Sequence, residues 1–242
     1  MSTAQYAGIV LCGGRSSRMG YPKALLPFGP ELMLQRVVRL MSEVVRPIVV
    51  VAAPEQELPP LPGDASVVRD RREGRGPLEG LAAGLAALPA DALGAYATSC
   101  DVPLLRPQFV RRMIELHSTN EISAHEISAH ETRGHEIVVP RSGGFHHPLA
   151  AVYGRGVLPH VQRLLAEDRL RPVFLFEAVK TRVVDEEELR EADPDLASLR
   201  NLNHPNDYQA ALAEAGFAMP PQIGKLLAGE GNGGERARES VG

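Results

Sequence analysis

Short apolar segments alternate with amphipathic ones along the chain, and this alternation restricts the fold more than any other feature of the sequence. Residues 6–11 and 47–53 are apolar and partly β-branched, which is typical of buried strands. Between them, residues 32–45 carry apolar side chains three and four positions apart, which predicts an amphipathic helix. Strands that alternate with helices indicate an α/β fold of three layers, with a mainly parallel sheet covered by helices on both faces.

The same pattern continues beyond these segments. We predict further strands at residues 66–69, 95–100, 136–140 and 148–153, and further helices at residues 77–88, 107–117, 157–167 and 206–216. A chain of 242 residues suits one domain of ordinary size. We therefore predict a single domain over residues 1–217, followed at residues 218–242 by a flexible tail that is rich in glycine and charge.

Two segments depart from the alternation. Glu121-Ile122-Ser123-Ala124-His125 is repeated at once at residues 126–130, and a unit of five residues is far shorter than the repeats of solenoid proteins. We interpret residues 121–134 as a surface insertion, because a metal-binding role for its histidines has only compositional support. Residues 185–195 contain seven acidic side chains, which we interpret as a solvated face.

Charge and composition limit the classes of partner. The net charge is −4, so nothing in the overall composition suggests nucleic acid or an acidic membrane surface as a partner. The apolar runs are too short to span a bilayer, and no signal peptide is indicated. The two cysteines, Cys12 and Cys100, do not form a disulfide framework, so a reducing cytoplasm is expected.

A glycine-rich loop follows the first predicted strand. It reads Leu11-Cys12-Gly13-Gly14-Arg15-Ser16-Ser17-Arg18-Met19-Gly20-Tyr21-Pro22-Lys23. The paired glycines let backbone amides approach a ligand, and Arg15, Arg18 and Lys23 add three positive charges that bind phosphate. The loop matches neither a Walker motif nor a dinucleotide-binding fingerprint. A tight turn with solvated arginines is the alternative, but the position after a buried strand favours phosphate binding.

Asp101 ends another predicted strand and is a candidate magnesium ligand. In parallel sheets the ligand lies outside the carboxyl ends of the strands, which brings Asp101 close to the glycine-rich loop. Mg²⁺ takes only one or two protein carboxylates and keeps several waters, so a single aspartate suffices. The alternative is that Asp101 caps the helix that follows it. Arg18 and Lys23 are candidates for neutralising charge on a triphosphate.

The order of these motifs resembles that of the molybdenum cofactor guanylyltransferases and their nucleotidyltransferase relatives. The resemblance covers about residues 6–216, and the full series is more specific than the first loop, which marks the broad superfamily alone. The segments that carry it are residues 11–20, 22–26, 69–70, 76–81, 100–103, 147–149 and 201–205.

This resemblance implies a Rossmann-like nucleotidyltransferase fold and transfer of GMP from GTP to the terminal phosphate of molybdopterin, with Mg²⁺ as cofactor and pyrophosphate as second product. It implies that Asp70 binds the ribose or base, that Asn203 is a further metal ligand, and that His147 contacts the acceptor. A molybdoenzyme or its chaperone is an implied partner. The implied nucleotide-binding residues are Leu11, Cys12, Gly13, Gly14, Arg15, Ser16, Lys23, Asp70, Gly80 and Asp101.

Each of the less specific residues has a structural alternative. Asp70 and Asn203 are also typical turn residues, Gly80 would suit close helix packing, and His147 would suit a structural role. Some relatives have asparagine near the base, just after the second strand, where this chain has Ala52-Ala53-Pro54. Cytidylyl transfer, transfer to a sugar phosphate, and a non-catalytic nucleotide-binding or cofactor-delivery protein therefore stay open.

Overall fold

The computed structural model describes residues 6–13, 18–70, 74–122 and 135–227. The strands are β1 (Tyr6–Leu11), β2 (Pro27–Phe28), β3 (Glu31–Leu32), β4 (Ile48–Ala52), β5 (Ser66–Arg69), β6 (Gly94–Ser99), β7 (Ile137–Ser142), β8 (Phe145–His146), β9 (Ala150–Gly154) and β10 (Thr181–Asp185). The helices are α1 (Met33–Ser42), α2 (Pro77–Ala86), α3 (Pro107–Ile122), α4 (Leu158–Ala166), α5 (Pro172–Ala178), α6 (Glu186–Arg190), α7 (Pro205–Glu214) and α8 (Pro221–Leu227).

The main sheet has eight strands and is mostly parallel, which confirms the predicted fold class. Its order is β10-β7-β9-β6-β1-β4-β5, with β8 paired to β7. Apart from the short β8, β9 is the strand that runs against its neighbours, because it is antiparallel to both β6 and β7. The core divides into two layers: side chains of α1 and α3 pack on one face, and those of α2, α4 and α5 pack on the other.

The central strands and the first helix form where the sequence pattern predicts them. β1 lies between β4 and β6, and all six of its residues are buried, as expected for a continuous apolar segment in a parallel sheet. The apolar row predicted within residues 32–45 is the buried face of α1, which consists of Met33, Leu34, Val37, Val38 and Met41. Among the described residues, no helix has the length and hydrophobicity needed to cross a membrane.

The acidic segment at residues 185–195 is not simply a solvated face. Asp193 is fully buried, and its carboxylate forms an ion pair with Arg106 Nε at 3.1 Å and accepts a hydrogen bond from the backbone N–H of Ser198 at 2.8 Å. The segment also supplies α6 and the end of β10, an edge strand that the sequence pattern did not reveal. Arg106 lies 87 positions earlier in the chain and makes burial of this carboxylate possible, because its positive charge offsets the cost of removing the carboxylate from water.

The first part of the predicted tail forms a helix that packs against the rest of the chain. Pro221–Leu227 forms α8, and Ile223 and Leu227 pack against an apolar cluster that includes Phe28 and Tyr208. Phe217 covers Phe28 with edge-to-face ring geometry, at a centroid distance of 5.7 Å. The apolar side chains of this glycine-rich and charged segment are enough to hold the helix in place, because they pack on an apolar surface formed by the rest of the chain. Residues 228–242 and most of the predicted insertion, 123–134, lie outside the described residues.

A buried histidine should make the stability of the fold depend on pH. His117 accepts or donates a hydrogen bond at 2.8 Å with the Tyr6 hydroxyl, and burial lowers the pKa of His117 from 6.5 to about 4. The unfolded chain therefore binds more protons than the folded one between these values, so stability falls as the pH drops from 6.5 to 4. The free energy of unfolding should decrease by about 3 kcal/mol over this interval through His117.

Urea unfolding at several pH values measures this dependence. His117→Gln cannot titrate, so its unfolding free energy should vary less steeply between pH 6.5 and pH 4 than that of the natural protein. His160→Gln, on α4, is the matched control and should keep the natural slope. Equal slopes in all three proteins would show that His117 does not become charged on unfolding.

Candidate active site

The register of the sheet brings three predicted site residues to one edge. Leu11 of β1 lies level with Ser99 of β6, and Ala52 of β4 lies level with Arg69 of β5. Because these strands are parallel, the residues that follow them leave the sheet on the same side. Gly13, Asp70 and Asp101 therefore lie at the carboxyl ends of β1, β5 and β6, as the mainly parallel sheet predicted from sequence requires.

Lys23 and Asp101 are in direct contact at this edge. Lys23 Nζ donates a hydrogen bond to Asp101 Oδ2 at 2.7 Å and another to Asn203 Oδ1 at 2.9 Å. The side chains of Lys23 and Asp101 are only 16% and 11% exposed, so water screens this ion pair little. A carboxylate oxygen and an amide oxygen thus bind the ammonium group of Lys23 beside the predicted phosphate-binding loop.

The second oxygen of Asp101 is held by protein donors. Ser99 Oγ and Asn201 Nδ2 both donate to Oδ1, the latter at 2.8 Å, and the backbone N–H of Leu202 donates to the Asp101 carbonyl at 2.9 Å. Asp101 does not cap the following helix, because α3 begins only at Pro107. The capping alternative is therefore wrong, and the carboxylate serves the edge of the sheet.

The segment that carries both asparagines is fastened to the start of α3. The backbone N–H of Arg106 donates to Ser198 Oγ at 3.0 Å, and the ion pair between Arg106 and the buried Asp193 lies directly behind it. Asn203 and His204 donate their backbone N–H groups to the carboxylate of Asp207 on α7, at 3.0 and 2.8 Å. Distant parts of the chain thus fix Asn201 and Asn203 beside Asp101.

A recess formed by Gly13 and Gly80 beside Asp70 lies on the other side of β1. A side chain at Gly13 would come within 3.1 Å of Asp70 Oδ2, and one at Gly80 within 3.5 Å of Asp70 Oδ1. Asp70 Oδ1 is buried and has no hydrogen-bond partner among the described residues. Burial and the nearby charge of Glu79 raise the pKa of Asp70. An unsatisfied buried acceptor costs free energy, so a donor from a ligand is the natural partner for it.

Gly80 has a packing role in addition to any contact with a ligand. A side chain at Gly80 would lie 2.8 Å from Leu11 Cδ2, and one at Gly84 would lie 2.7 Å from Ile9 Cγ2. Both glycines let α2 approach β1 closely. Gly84 offers a matched comparison, because it packs on the same strand one turn of helix after Gly80, and the atoms nearest to an added side chain there belong to Ile9 and not to Asp70.

Substitution of these two glycines separates packing from ligand binding. Gly80→Ala and Gly84→Ala should each lower the free energy of unfolding by about 1–3 kcal/mol, because the new methyl group overpacks the space between helix and sheet. Gly80→Ala alone should also weaken GTP binding, since it displaces Leu11 and crowds Asp70. Thermal unfolding and calorimetric titration measure the two effects. Equal GTP affinity in both variants would restrict Gly80 to packing.

Cys12 contributes little beyond its position. Its backbone N–H donates to the Val51 carbonyl at 2.8 Å, and its carbonyl accepts from Gln56 Nε2 at 3.1 Å. A hydrogen bond with the Cys100 thiol, together with burial, raises the pKa of the Cys12 thiol. Both thiols are free and buried. A neutral buried thiol such as that of Cys12 is a poor nucleophile.

The arginines near Asp70 are engaged with the protein. Arg69 Nη1 donates to the carbonyls of Ala53 and Gln56 at 2.8 Å each, which folds the loop after β4 towards Cys12. Arg75 Nη2 donates to the Leu165 carbonyl and to Asp168, beside a cleft of about 870 Å³ between α2 and α4. Arg71 and Arg72 lie outside the described residues.

The structure describes some of the remaining predicted residues and not others. Arg18 is exposed in a turn and forms no ion pair with any residue that the structure describes, while Gly14, Arg15 and Ser16 lie outside the described residues. His147 lines a cleft of about 240 Å³ together with Asn201, so this cleft adjoins Asp101. Burial lowers the pKa of His147, which favours the neutral form of its imidazole.

The geometry fits a divalent cation. Lys23 Nζ is itself a cation held between Asp101 Oδ2 and Asn203 Oδ1, and such hard oxygen atoms are the ligands that Mg²⁺ prefers. No group of three or more His, Cys, Asp or Glu side chains suited to a metal occurs in the described part of the chain. A cation here would keep open positions for water and phosphate oxygens, as in sites where Mg²⁺ binds with a nucleotide.

Comparison with known structures shows the same fold. The structure of "Molybdopterin-guanine dinucleotide biosynthesis protein A" from Archaeoglobus fulgidus superposes with a TM-score of 0.68 at 20% identity, covering 87% of this chain and 98% of that one. The 2-C-methyl-D-erythritol 4-phosphate cytidylyltransferase of Thermus thermophilus superposes with a TM-score of 0.57 at 15% identity, covering 87% and 98%. A manganese complex of Rv0371C from Mycobacterium tuberculosis superposes with a TM-score of 0.51 at 20% identity, covering 79% and 98%.

Sequence comparison identifies the family. The chain is 32% identical over 208 residues to the "Probable molybdenum cofactor guanylyltransferase" of Pelotomaculum thermopropionicum, which covers 86% of this chain and 92% of that protein. It is 30% identical over 207 residues to the "Molybdenum cofactor guanylyltransferase" of Desulfosudis oleivorans, which covers 85% and 94%. The MobA-like NTP transferase domain matches residues 8–181. Together with the site at the sheet edge, these matches show that the chain is a nucleotidyltransferase of the molybdenum cofactor guanylyltransferase family.

Proposed function

We propose that this enzyme transfers GMP from GTP to the terminal phosphate of molybdopterin and releases pyrophosphate. The observation that carries the proposal is the cation position between Asp101 Oδ2 and Asn203 Oδ1, which Lys23 Nζ occupies at 2.7 and 2.9 Å. It lies beside the glycine-rich loop, at the edge of the sheet where α/β proteins bind their ligands. The guanylyltransferase names of the relatives support the choice of reaction.

The triphosphate is proposed to bind along the glycine-rich loop. Lys23 follows this loop and supplies a positive charge, and Arg18, which is exposed in the same loop, supplies a second. Arg15 and the backbone amides of Gly14 and Ser16 remain predicted contacts. Nucleotidyl transfer depends mainly on positioning and on neutralising the charge that develops on the phosphates, so these cations account for much of the catalysis.

Asp101 Oδ2 and Asn203 Oδ1 would hold a divalent cation, which we take to be Mg²⁺. When bound, such an ion supplies charge neutralisation at the α-phosphate and aligns the triphosphate for in-line attack. Lys23 would then leave these two oxygen atoms and bind the triphosphate, so the same ammonium group would serve first the protein and then the substrate. The deep placement of Asp101, only 11% exposed, strengthens both interactions.

The recess at Gly13 and Asp70 favours guanine over cytosine. The buried Asp70 Oδ1 is an acceptor without a partner among the described residues, and guanine presents two adjacent donors, the N1–H and the 2-amino group. Cytosine presents only one donor group at the equivalent edge, its 4-amino group beside the N3 acceptor, so it would pair with Asp70 through a single group. Gly13 leaves room for the base, because a Cβ atom at this position would lie 3.1 Å from Asp70 Oδ2.

The acceptor is proposed to enter through the cleft that His147 and Asn201 line. This cleft of about 240 Å³ adjoins Asp101 through Asn201, so an acceptor phosphate bound there would face the nucleotide. A cytoplasmic location is consistent with the two free thiols. Delivery of the product to a molybdoenzyme or its chaperone is proposed together with the reaction.

Calorimetric titration with GTP, CTP and ATP, with and without Mg²⁺, tests the nucleotide. We expect GTP to bind most tightly and only its affinity to depend strongly on Mg²⁺. Preference for CTP would replace guanylyl by cytidylyl transfer. Pyrophosphate release is then measured with molybdopterin and with sugar phosphates as acceptors. Release with a sugar phosphate alone would reassign the acceptor, and release with none would favour a non-catalytic nucleotide-binding protein.

A further inference from the structure

We infer that Ser99 is a positioning residue, whose hydroxyl holds the Asp101 carboxylate in the one orientation that presents Oδ2 to the cation. The inference rests on the proposed function, because it concerns how Asp101 would bind the metal ion. It assigns a role to a residue that neither touches the substrates nor belongs to the glycine-rich loop.

Ser99 is the last residue of β6 and is only 8% exposed. Its Oγ donates a hydrogen bond to Asp101 Oδ1, and it accepts one from Asn201 Nδ2 at 3.0 Å. Asn201 Nδ2 also reaches Asp101 Oδ1 at 2.8 Å. Three side chains thus form a closed triangle of hydrogen bonds around a single carboxylate oxygen.

This triangle makes the two oxygen atoms of Asp101 unequal. Oδ1 is surrounded by protein donors, while Oδ2 contacts the Lys23 ammonium at 2.7 Å. Hydrogen bonds to a charged carboxylate are about twice as strong as those between neutral groups, so they resist rotation of the side chain. A metal ion that replaces the Lys23 ammonium group would therefore find Oδ2 at a fixed position and would bind Asp101 through it.

Without the hydroxyl, the carboxylate is held at Oδ1 by Asn201 alone. Asn201 belongs to a segment 100 positions away in the chain, whereas Ser99 stands two positions from Asp101 on a central strand. The strand therefore provides the more rigid of the two supports. Loss of Ser99 Oγ should weaken metal binding without removing any group that contacts the nucleotide.

Thr98 provides a matched control in the same strand. It is fully buried, and because successive side chains of a strand point to opposite faces, its hydroxyl lies on the other side of the sheet from Ser99. Thr98→Val removes one buried hydroxyl from β6 without touching Asp101. Ser99→Thr keeps the hydroxyl, and Ser99→Cys keeps nearly the same volume but offers only a weak S–H donor.

The experiment measures Mn²⁺ binding to the protein–GTP complex by electron paramagnetic resonance, GTP affinity without metal by calorimetry, and kcat and KM for GTP from pyrophosphate release. For Ser99→Ala and Ser99→Cys we expect the Mn²⁺ dissociation constant to rise about tenfold, in line with the loss of one charge-assisted hydrogen bond. We expect kcat at limiting metal to fall by a similar factor. GTP affinity without metal should stay within about twofold, and Ser99→Thr and Thr98→Val should resemble the natural protein.

The outcomes separate this inference from the proposed function. Mn²⁺ affinity in Ser99→Ala and Ser99→Cys equal to that of the natural protein would overturn the positioning role alone. An equal loss in Thr98→Val would also overturn it, because the effect would then be one of strand stability. Should Ser99→Ala fail to fold, Ser99→Cys carries the same comparison. Absence of metal-dependent GTP binding in the natural protein would overturn the proposed function and this inference together.

Discussion

Asp101→Asn is expected to lower kcat about a thousandfold while the protein stays folded. The substitution keeps the shape of the side chain and removes its charge, so the cation position loses its carboxylate. A thousandfold loss corresponds to about 4 kcal/mol of transition-state stabilisation, which is within the range for removing one electrostatic contact from an active site. The hydrogen bond from Lys23 to Asn203 survives, so the local structure keeps one of its two links.

Pyrophosphate release at saturating GTP and Mg²⁺ measures this effect. Asp91→Asn is the control, because Asp91 is exposed and precedes the opposite end of the same strand, β6. Its kcat should equal that of the natural protein. Melting temperatures of both variants show whether the fold is intact. Turnover in Asp101→Asn within tenfold of the natural rate would exclude Asp101 as the group on which the chemistry depends.

Lys23→Met is expected to weaken GTP binding about tenfold to a hundredfold and, at the same time, to strengthen metal binding without nucleotide. The first effect follows from the loss of one charge-assisted contact to the triphosphate. The second follows from the structure, in which the ammonium group lies between Asp101 Oδ2 and Asn203 Oδ1. A methionine leaves both oxygen atoms free for a divalent cation, because lysine and metal compete for the same position.

Calorimetry with GTP and paramagnetic resonance with Mn²⁺ in the absence of nucleotide measure the two effects separately. Lys225→Met is the control, since Lys225 is exposed on α8 and should leave both affinities unchanged. Unchanged GTP affinity in Lys23→Met would contradict the assignment of the loop. Weaker GTP binding without any gain in Mn²⁺ affinity would show that the ammonium group and the metal ion use different positions.

The sequence by itself determined the class of fold and the edge of the sheet at which the site lies. Apolar strands such as Tyr6–Leu11 and the apolar row of α1 are local patterns, and their alternation allows few arrangements other than a parallel sheet covered on both faces. Gly13 and Asp101 each follow such a strand. They are therefore predicted to lie at the same edge of the sheet, because parallel strands end at a common edge. The motif order added the family, which the comparisons confirm.

The acidic segment and the C-terminal region show where local pattern fails. Asp193 looks like one solvated charge among seven, yet it is buried against Arg106. Residues 221–227 begin a segment rich in glycine and charge, yet they form a helix on a surface built by β2 and α7. In both cases the partner is far away in the chain, so no window of sequence contains the interaction that decides the structure.

Distance along the chain also explains which parts of the site could be predicted from the sequence and which could not. Lys23, Asp101 and Asn203 were identified one by one, but only the tertiary structure shows that one ammonium group bridges the two oxygen atoms. Ser99 had no role in the sequence-based prediction, and Asn201 entered it only as part of the segment 201–205, because a serine in a strand and an asparagine before a leucine are ordinary residues. Their function arises from hydrogen bonds to one carboxylate oxygen across about a hundred positions of chain, and such contacts are fixed only when the sheet and the C-terminal segment pack together.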